Sequence, residues 1–226
     1  MVQPSVSESA DSDFNDSIKV EAFVTGIYDR TQWSSFTLEL ILHSEVKGED
    51  IFVVSSGNYG RFVNSYQYSE DPYNGYQYDF WRWGYAIIAN CNQLISKLPD
   101  ANDLSEGFRN HYLAEARAIR ANTYFQLVRL FGQPYSVAPG SQGVPLTLQP
   151  LGADENPPGR SSVAGVYQAI LADLEFAETN FERNKETTIY RLTKPAILGL
   201  LARVHLNMET GLRQVIMHIR RKKHFL

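Results

Sequence analysis

The chain carries one cysteine, Cys91, in 226 residues. A single thiol excludes an intrachain disulfide and any zinc site built from cysteine pairs. Cys91 lies between Asn90 and Asn92 inside a predicted helix, where a small buried thiol is the expected state. Long apolar runs are missing too: none approaches the ~18 residues of a membrane-spanning helix. The opening MVQPSVSESADSDF has neither a basic start nor an apolar core, so it does not read as a signal peptide. There is no GxGxxG, GxxxxGK, HExxH or GxSxG, which removes the usual fingerprints of dinucleotide, phosphate-loop, zincin and serine-hydrolase chemistry. Outside the basic C-terminal stretch, the histidines His43, His111 and His205 lack the spacing of a metal pair on one helix face. Positive charge is in deficit, with 21 Lys and Arg against 25 Asp and Glu, so no general attraction for nucleic acid is expected.

What the chain has is aromatics and helix formers. The segment FRNHYLAEARAIRANTYFQLVRLFG, Phe108 to Gly132, reads as one long buried helix, rich in Ala, Leu, Arg, Glu and Gln. Phe108, Tyr112, Leu113, Ala116, Ile119, Leu127, Leu130 and Phe131 share a broad face. Ala114, Ala118, Ala121 and Phe125 form a second one, so helices are expected on two sides. Gly132 and Pro134 stop the helix. Arg117 and Arg120 sit at the edge of the larger face and require partners, such as Glu115 or backbone carbonyls.

Other helices are predicted around it. One runs from about Asp16 to Arg30, capped by Asn15 or Asp16, with Ile18, Ala22, Val24 and Tyr28 near one face, joined by Phe23 and Ile27. Residues 34–47 fit a short helix or a strand equally well. Another helix runs from about Tyr76 to Leu98, and one capped by Ser161 or Ser162 reaches about Asn180 through Val163, Val166, Ile170, Leu174 and Ala177. The last begins at Thr193 with Pro195 in its first turn. Two long connections interrupt the series: Ile51 to Gly75, punctuated by Gly57, Gly60, Pro72 and Gly75, and the proline-rich Gln133 to Gly159. The expected fold is all-α, with tetratricopeptide-like helical hairpins and long irregular loops, although no clean 34-residue repeat is present.

The first connection is the candidate site. Eleven aromatics fall in the 27 residues from Tyr59 to Tyr85. So many rings along one stretch are hard to bury together, so an exposed subset is expected. Flat rings stack on sugar faces while amides and carboxylates bond the hydroxyls, and Asn58, Tyr59, Asn64, Tyr66, Gln67, Tyr73, Asn74 and Asp79 supply both kinds of group. Glu45, Glu49 and Asp50 form a carboxylate cluster, but without a positioned partner they do not make an acid–base pair.

In the long helix, AEARAIRANTYFQLVRLFGQPY resembles the signature of the SusD/RagB family of outer-membrane nutrient-binding lipoproteins. AFVTGIYD, FWRWGYAIIANCNQLI, GVPL followed by RSSVAGVYQAILADLEFAE, and RLTKPAILGLLARVHLNM resemble further family segments in the family's order. Together they span about residues 18–210. The resemblance implies a tetratricopeptide-like scaffold, non-catalytic capture of glycans or related nutrients at the cell surface, and docking onto a SusC-like TonB-dependent transporter, with no cofactor or metal. It implies membrane attachment only through an N-terminal lipid anchor, which this sequence lacks. It places ligand contacts in the loop after the early acidic segment, here Glu49–Asp50. The resemblance fixes the region and no single residue, with Asn58 and Tyr59 nearest to it; the loop's own aromatic and amide groups make the candidate ligand set Asn58, Tyr59, Asn64, Tyr66, Tyr73 and Asn74. The alternative is a helical-repeat scaffold that binds a protein and no sugar.

The expected organisation is a disordered lead-in over 1–14, a helical domain over 15–210, and an atypical basic tail over 211–226. No acid follows Glu209, whereas Arg213, Arg220, Arg221, Lys222 and Lys223 do. The family likeness also stops at Gly211, so the tail is expected not to be native family sequence. An apolar face on Leu198, Leu201 and Val204 is then expected to be left partly open.

Overall fold

Local caps start four of the helices. In a computed structural model that describes residues 14–54, 56–71, 75–152, 154–181 and 190–208, Asp16 Oδ1 accepts the Ile18 amide at 2.8 Å and opens α1, Ser17–Gln32. Ser105 caps α5, Glu106–Phe131, Ser162 caps α6, Val163–Asn180, and Thr193 caps α7, Lys194–Asn207. Each cap satisfies an amide that the first helical turn would otherwise leave orphaned. Between α1 and α5 lie a π-helical turn Ser34–Leu38, α2, Glu39–Glu45, α3, Val63–Tyr66, and α4, Tyr76–Lys97. Two short antiparallel strands, β1, Gln142–Pro145, and β2, Arg160–Ser162, clip the ends of the proline-rich connection together.

Helix α5 is the centre of the molecule, as its two apolar faces predict. It packs against α4 on one side and α6 on another. Ala114, Ala116, Ala118 and Ala121 are fully buried, and short side chains let the neighbours come close. A Cβ on Gly84 of α4 would sit 3.2 Å from Leu127 of α5. At the end of α5 the chain turns extended at Gly132, a place that takes glycine because a Cβ there would meet the Val128 carbonyl at 2.8 Å. On the α6 side, the rings of Phe125 and Tyr167 meet edge to face at 6.1 Å.

The buried arginine is paired across helices. Arg120 donates Nε and Nη2 to Asp173 of α6 at 2.7 and 2.8 Å. Its Nη1 donates to Asn92 of α4 at 2.6 Å and to the Leu148 carbonyl at 3.1 Å. Burial would lower the Arg120 pKa, but the bonds to Asp173 and its charge reverse that and raise it. The carbonyl is one of the expected partner types, but the carboxylate is Asp173 and not Glu115. Glu115 instead accepts from Tyr28 at 3.3 Å and lies 3.6 Å from Arg191. Side chains on one helix turn back along their own surface, so a residue five positions earlier is out of reach while the facing helix is not.

Three further expectations need correction or completion. The buried stripe of α1 is Val20, Val24, Ile27 and Tyr28, and Ile18 is 76% exposed, because the stripe begins one turn beyond the cap. Residues 34–45 are helical throughout, which settles the helix-or-strand ambiguity. On the α7 face expected to be partly open, Leu198 is half-buried, whereas Leu201 and Val204 are buried, with α6 packed against α7. Residues 1–13 and 209–226, including the basic tail, lie outside the described residues. Among the described residues no helix is long and apolar enough to cross a membrane.

Candidate functional site

The loop after α2 folds back through three aromatic residues in left-handed conformation: Tyr59 at φ 57°, Phe62 at φ 62° and Tyr68 at φ 55°. Left-handed backbone costs a residue with a Cβ roughly 1–2 kcal/mol. Three such residues in one loop persist only where surrounding contacts over-determine them. Asn58 supplies one set: its Oδ1 accepts the Gly60 amide at 2.8 Å and its Nδ2 donates to the Arg61 carbonyl at 3.0 Å. The Tyr68 hydroxyl supplies another by donating to the Lys47 carbonyl at 2.8 Å. The result is an Asn58-stapled turn that holds Tyr59 out at 95% exposure.

Beside this turn is a cleft of about 150 Å³ lined by His43 of α2, Gly60, Phe62, Asn64 and Ser65 of the loop and α3, Glu70, Asp71, Gly75 and Tyr76. The His43 ring stacks face to face on Tyr76 with centroids 3.8 Å apart and meets Phe62 edge-on at 4.9 Å. Its Nδ1 is hydrogen-bonded with Ser65 Oγ. Burial lowers the His43 pKa below its ordinary value; Glu70 pulls the other way and Lys47 adds to the lowering. The imidazole is therefore neutral at physiological pH. Glu70 pairs with Lys47 at 2.8 Å.

A larger cleft of about 320 Å³ lies between α4 and the proline-rich connection, with Trp81, Tyr85, Pro157 and Pro158 in its wall. Two of its polar side chains are committed within the fold: the Tyr85 hydroxyl donates to the Pro145 carbonyl at 2.8 Å, and Asn92 Nδ2 to the Thr147 and Gln149 carbonyls at 2.7 and 3.2 Å. Cys91 is buried on α4 and burial pushes its thiol up to about 12, so it offers no thiolate.

Of the six ligand residues expected from sequence, Asn64 lines the smaller cleft. Asn58 and Tyr59 stand next to it on the same turn. Tyr66, on α3, is 39% exposed. Tyr73 and Asn74 lie outside the described residues. His43, Phe62, Glu70 and Asp71 were not singled out. Phe62 was one of the eleven rings, but His43 and Glu70 carry no spacing signal that would join them. Glu45, Glu49 and Asp50 are exposed and do not line this cleft.

Helical hairpins around one central helix, with a strained aromatic loop beside a polar cleft, define a helical scaffold that carries an exposed aromatic loop. A family described as starch-binding and associating with the outer membrane, SusD-like, matches residues 3–206. The chain belongs to this SusD-like family. SusD-like protein P2 of Formosa agariphila is 33% identical over 187 residues, which cover 76% of this chain and 34% of that protein. A SusD superfamily structure from Bacteroides vulgatus matches with a TM-score of 0.81 and 26% identity over 93% of this chain and 48% of its own. One from Bacteroides thetaiotaomicron matches with a TM-score of 0.75 and 26% identity, covering 85% and 42%. The chain thus spans about a third of the length of that relative and under half of those structures.

Proposed function

We propose that this chain is part of a non-catalytic glycan-binding protein of the outer membrane surface that hands its ligand to a TonB-dependent transporter. The observation that carries the reading is Tyr59: an aromatic ring almost fully exposed, held there by strained backbone, next to a cleft with unlike polar groups. A protein does not stabilise an exposed ring at such cost for packing, since the ring packs on nothing; a flat ligand face is the partner that rewards it. Asn64 lines the cleft next to that turn and supplies an amide. The family description, starch-binding and outer-membrane association, supports both the ligand class and the location. The transporter partner rests on the family likeness. The non-catalytic role rests on the family likeness.

The test is binding of the purified chain to a panel of polysaccharides, by affinity electrophoresis and calorimetry. Tyr59→Ala is expected to weaken binding by about 1–3 kcal/mol, the range of an aromatic hot spot, with the helical circular dichroism unchanged. Unaltered affinity in both Tyr59→Ala and Tyr66→Ala would remove this loop from the site.

A further inference from the structure

A second group of flat side chains stands exposed on helices rather than on the loop. Trp33, the residue that follows α1, is 38% exposed, yet it is fixed twice. Its Nε1 donates to Asp29 Oδ2 at 3.1 Å, and its ring meets that of Trp83 on α4 edge to face at 4.6 Å. The Arg82 guanidinium lies 4.4 Å over the Trp83 ring, with the exposed Tyr78 ring 6.0 Å away on the preceding turn. Asp79 is 3.5 Å from Arg82, and the arginine side chain still keeps 52% exposure. The strip runs from the first turns of α4 onto the end of α1. Tyr76, which lines the smaller cleft, precedes Trp83 by seven residues on α4, two turns and ~10 Å along the same side of the helix.

A single exposed ring needs no explanation, but a contiguous run of them marks a contact surface. Rings fixed in advance lose little rotamer freedom when a ligand arrives. The apolar face of a pyranose stacks on such rings, and its hydroxyls bond to charged groups at their edges. Asp29 and the Arg82–Asp79 pair have partners within the fold. They lie at the surface, however, where ion pairs hold weakly, and a carboxylate that takes one indole N–H retains further acceptor positions.

We propose that Trp33, Trp83 and Arg82 form a second sugar-contact surface, which takes pyranose rings of the same glycan chain that the Tyr59 loop holds. The proposal rests on the glycan-binding reading above and goes beyond it by placing a contact on α1 and α4, outside the loop and both clefts.

The test measures binding of the 226-residue chain to soluble starch, xylan and galactomannan by calorimetry, with each variant verified as folded by circular dichroism and its urea midpoint. Trp33→Ala is expected to weaken polymer binding about tenfold, the scale of one aromatic hot spot. Trp33→Phe keeps a ring and loses only the Asp29 bond, and should stay within about threefold of wild type. Arg82→Ala should also weaken binding, and the Trp33→Ala/Tyr59→Ala double variant should bind less tightly than either single one. Where Trp33→Ala fails to fold, Arg82→Ala and Tyr78→Ala, both changes of exposed side chains, decide in its place. Wild-type affinity in Trp33→Ala and Arg82→Ala, with Tyr59→Ala weakened, overturns the proposal and leaves the glycan reading intact. Wild-type affinity in Trp33→Ala together with loss of a self-association seen by sedimentation makes the strip a protein contact and also overturns it. Failure of every polysaccharide to bind overturns the glycan reading and the proposal with it.

Discussion

Two residues set testable limits on stability. Arg120 and Asp173 are each about 5% exposed and joined by two hydrogen bonds. Arg117 also lies 3.9 Å from Asp173, with its guanidinium 4.0 Å from the Phe176 ring. Asp173→Asn removes the carboxylate that faces both arginines and leaves Arg120 charged in a buried place. The expected loss is about 3–5 kcal/mol, read as a fall in the urea midpoint. His43 gives a pH signature. Its folded pKa lies below the ordinary 6.5, so between those values the unfolded chain binds more protons than the folded one. Stability from this group is complete above about pH 6.5 and declines as pH falls through it toward the folded pKa. His43→Gln should therefore lose less stability than the wild type between pH 7.5 and 5.0, as measured by urea titrations at each pH. Equal slopes would show that the ring titrates alike in both states.

At the scale of elements, α4 and α5 meet through a glycine. With Leu127 3.2 Å from the place a Gly84 Cβ would occupy, Gly84→Val overpacks the contact and should cost about 1–3 kcal/mol. Gly199 in α7 is the control: nothing lies within 4 Å of its added Cβ, and it sits in mid-helix. Gly199→Ala should stabilise by about 0.4–1 kcal/mol through the unfolded chain's lost freedom. Thermal melts of the two variants should move in opposite directions. The aromatic loop behaves differently from the helices, because its conformation is held by the Asn58 staple and the Tyr68–Lys47 bond rather than by periodic burial. Asn58→Ala is expected to leave the helix content unchanged and to weaken the proposed glycan binding through misplacement of Tyr59, detectable as reduced affinity with a melting temperature that moves by only about 2–4 °C per kcal/mol of stability lost.

At the scale of the molecule, one network ties α1 to the entry of α7. The Tyr28 hydroxyl donates to Glu115 at 3.3 Å and accepts the Leu192 amide at 3.0 Å, and Arg191 reaches Thr25 Oγ1 at 2.7 Å. This joins α1, α5 and the entry to α7. Burial and the neighbouring Glu115 charge raise the Tyr28 pKa, so it remains a neutral donor across the accessible pH range. Tyr28→Phe leaves the Leu192 amide without its acceptor and should cost about 1–3 kcal/mol. Native-state hydrogen exchange should show the loss first in the amides of residues 190–208.

The five long helices, the caps of α1, α6 and α7 and the central place of α5 were legible in the sequence, because apolar spacing and a cap act over three or four residues; α3 and the Ser105 cap were not. Ser162 meets the Gly165 amide, Thr193 the Ala196 amide and Asp16 the Ile18 amide whatever the rest of the chain does. The aromatic excess likewise located the candidate loop, and the family motifs located the fold. Only the tertiary structure decided who meets whom across it. Asp173 finds Arg120 from 53 residues away, and His43 finds Ser65 from 22. Those pairings depend on how α2, α3 and α4 and how α4, α5 and α6 lie against each other, and such packing is a property of surfaces rather than of spacing. Which ring is exposed is decided in the same way: Tyr76 and Phe80 are buried by His43 and Phe36, whereas Tyr59, a residue of the same chemistry in the same stretch, has no neighbour to cover it.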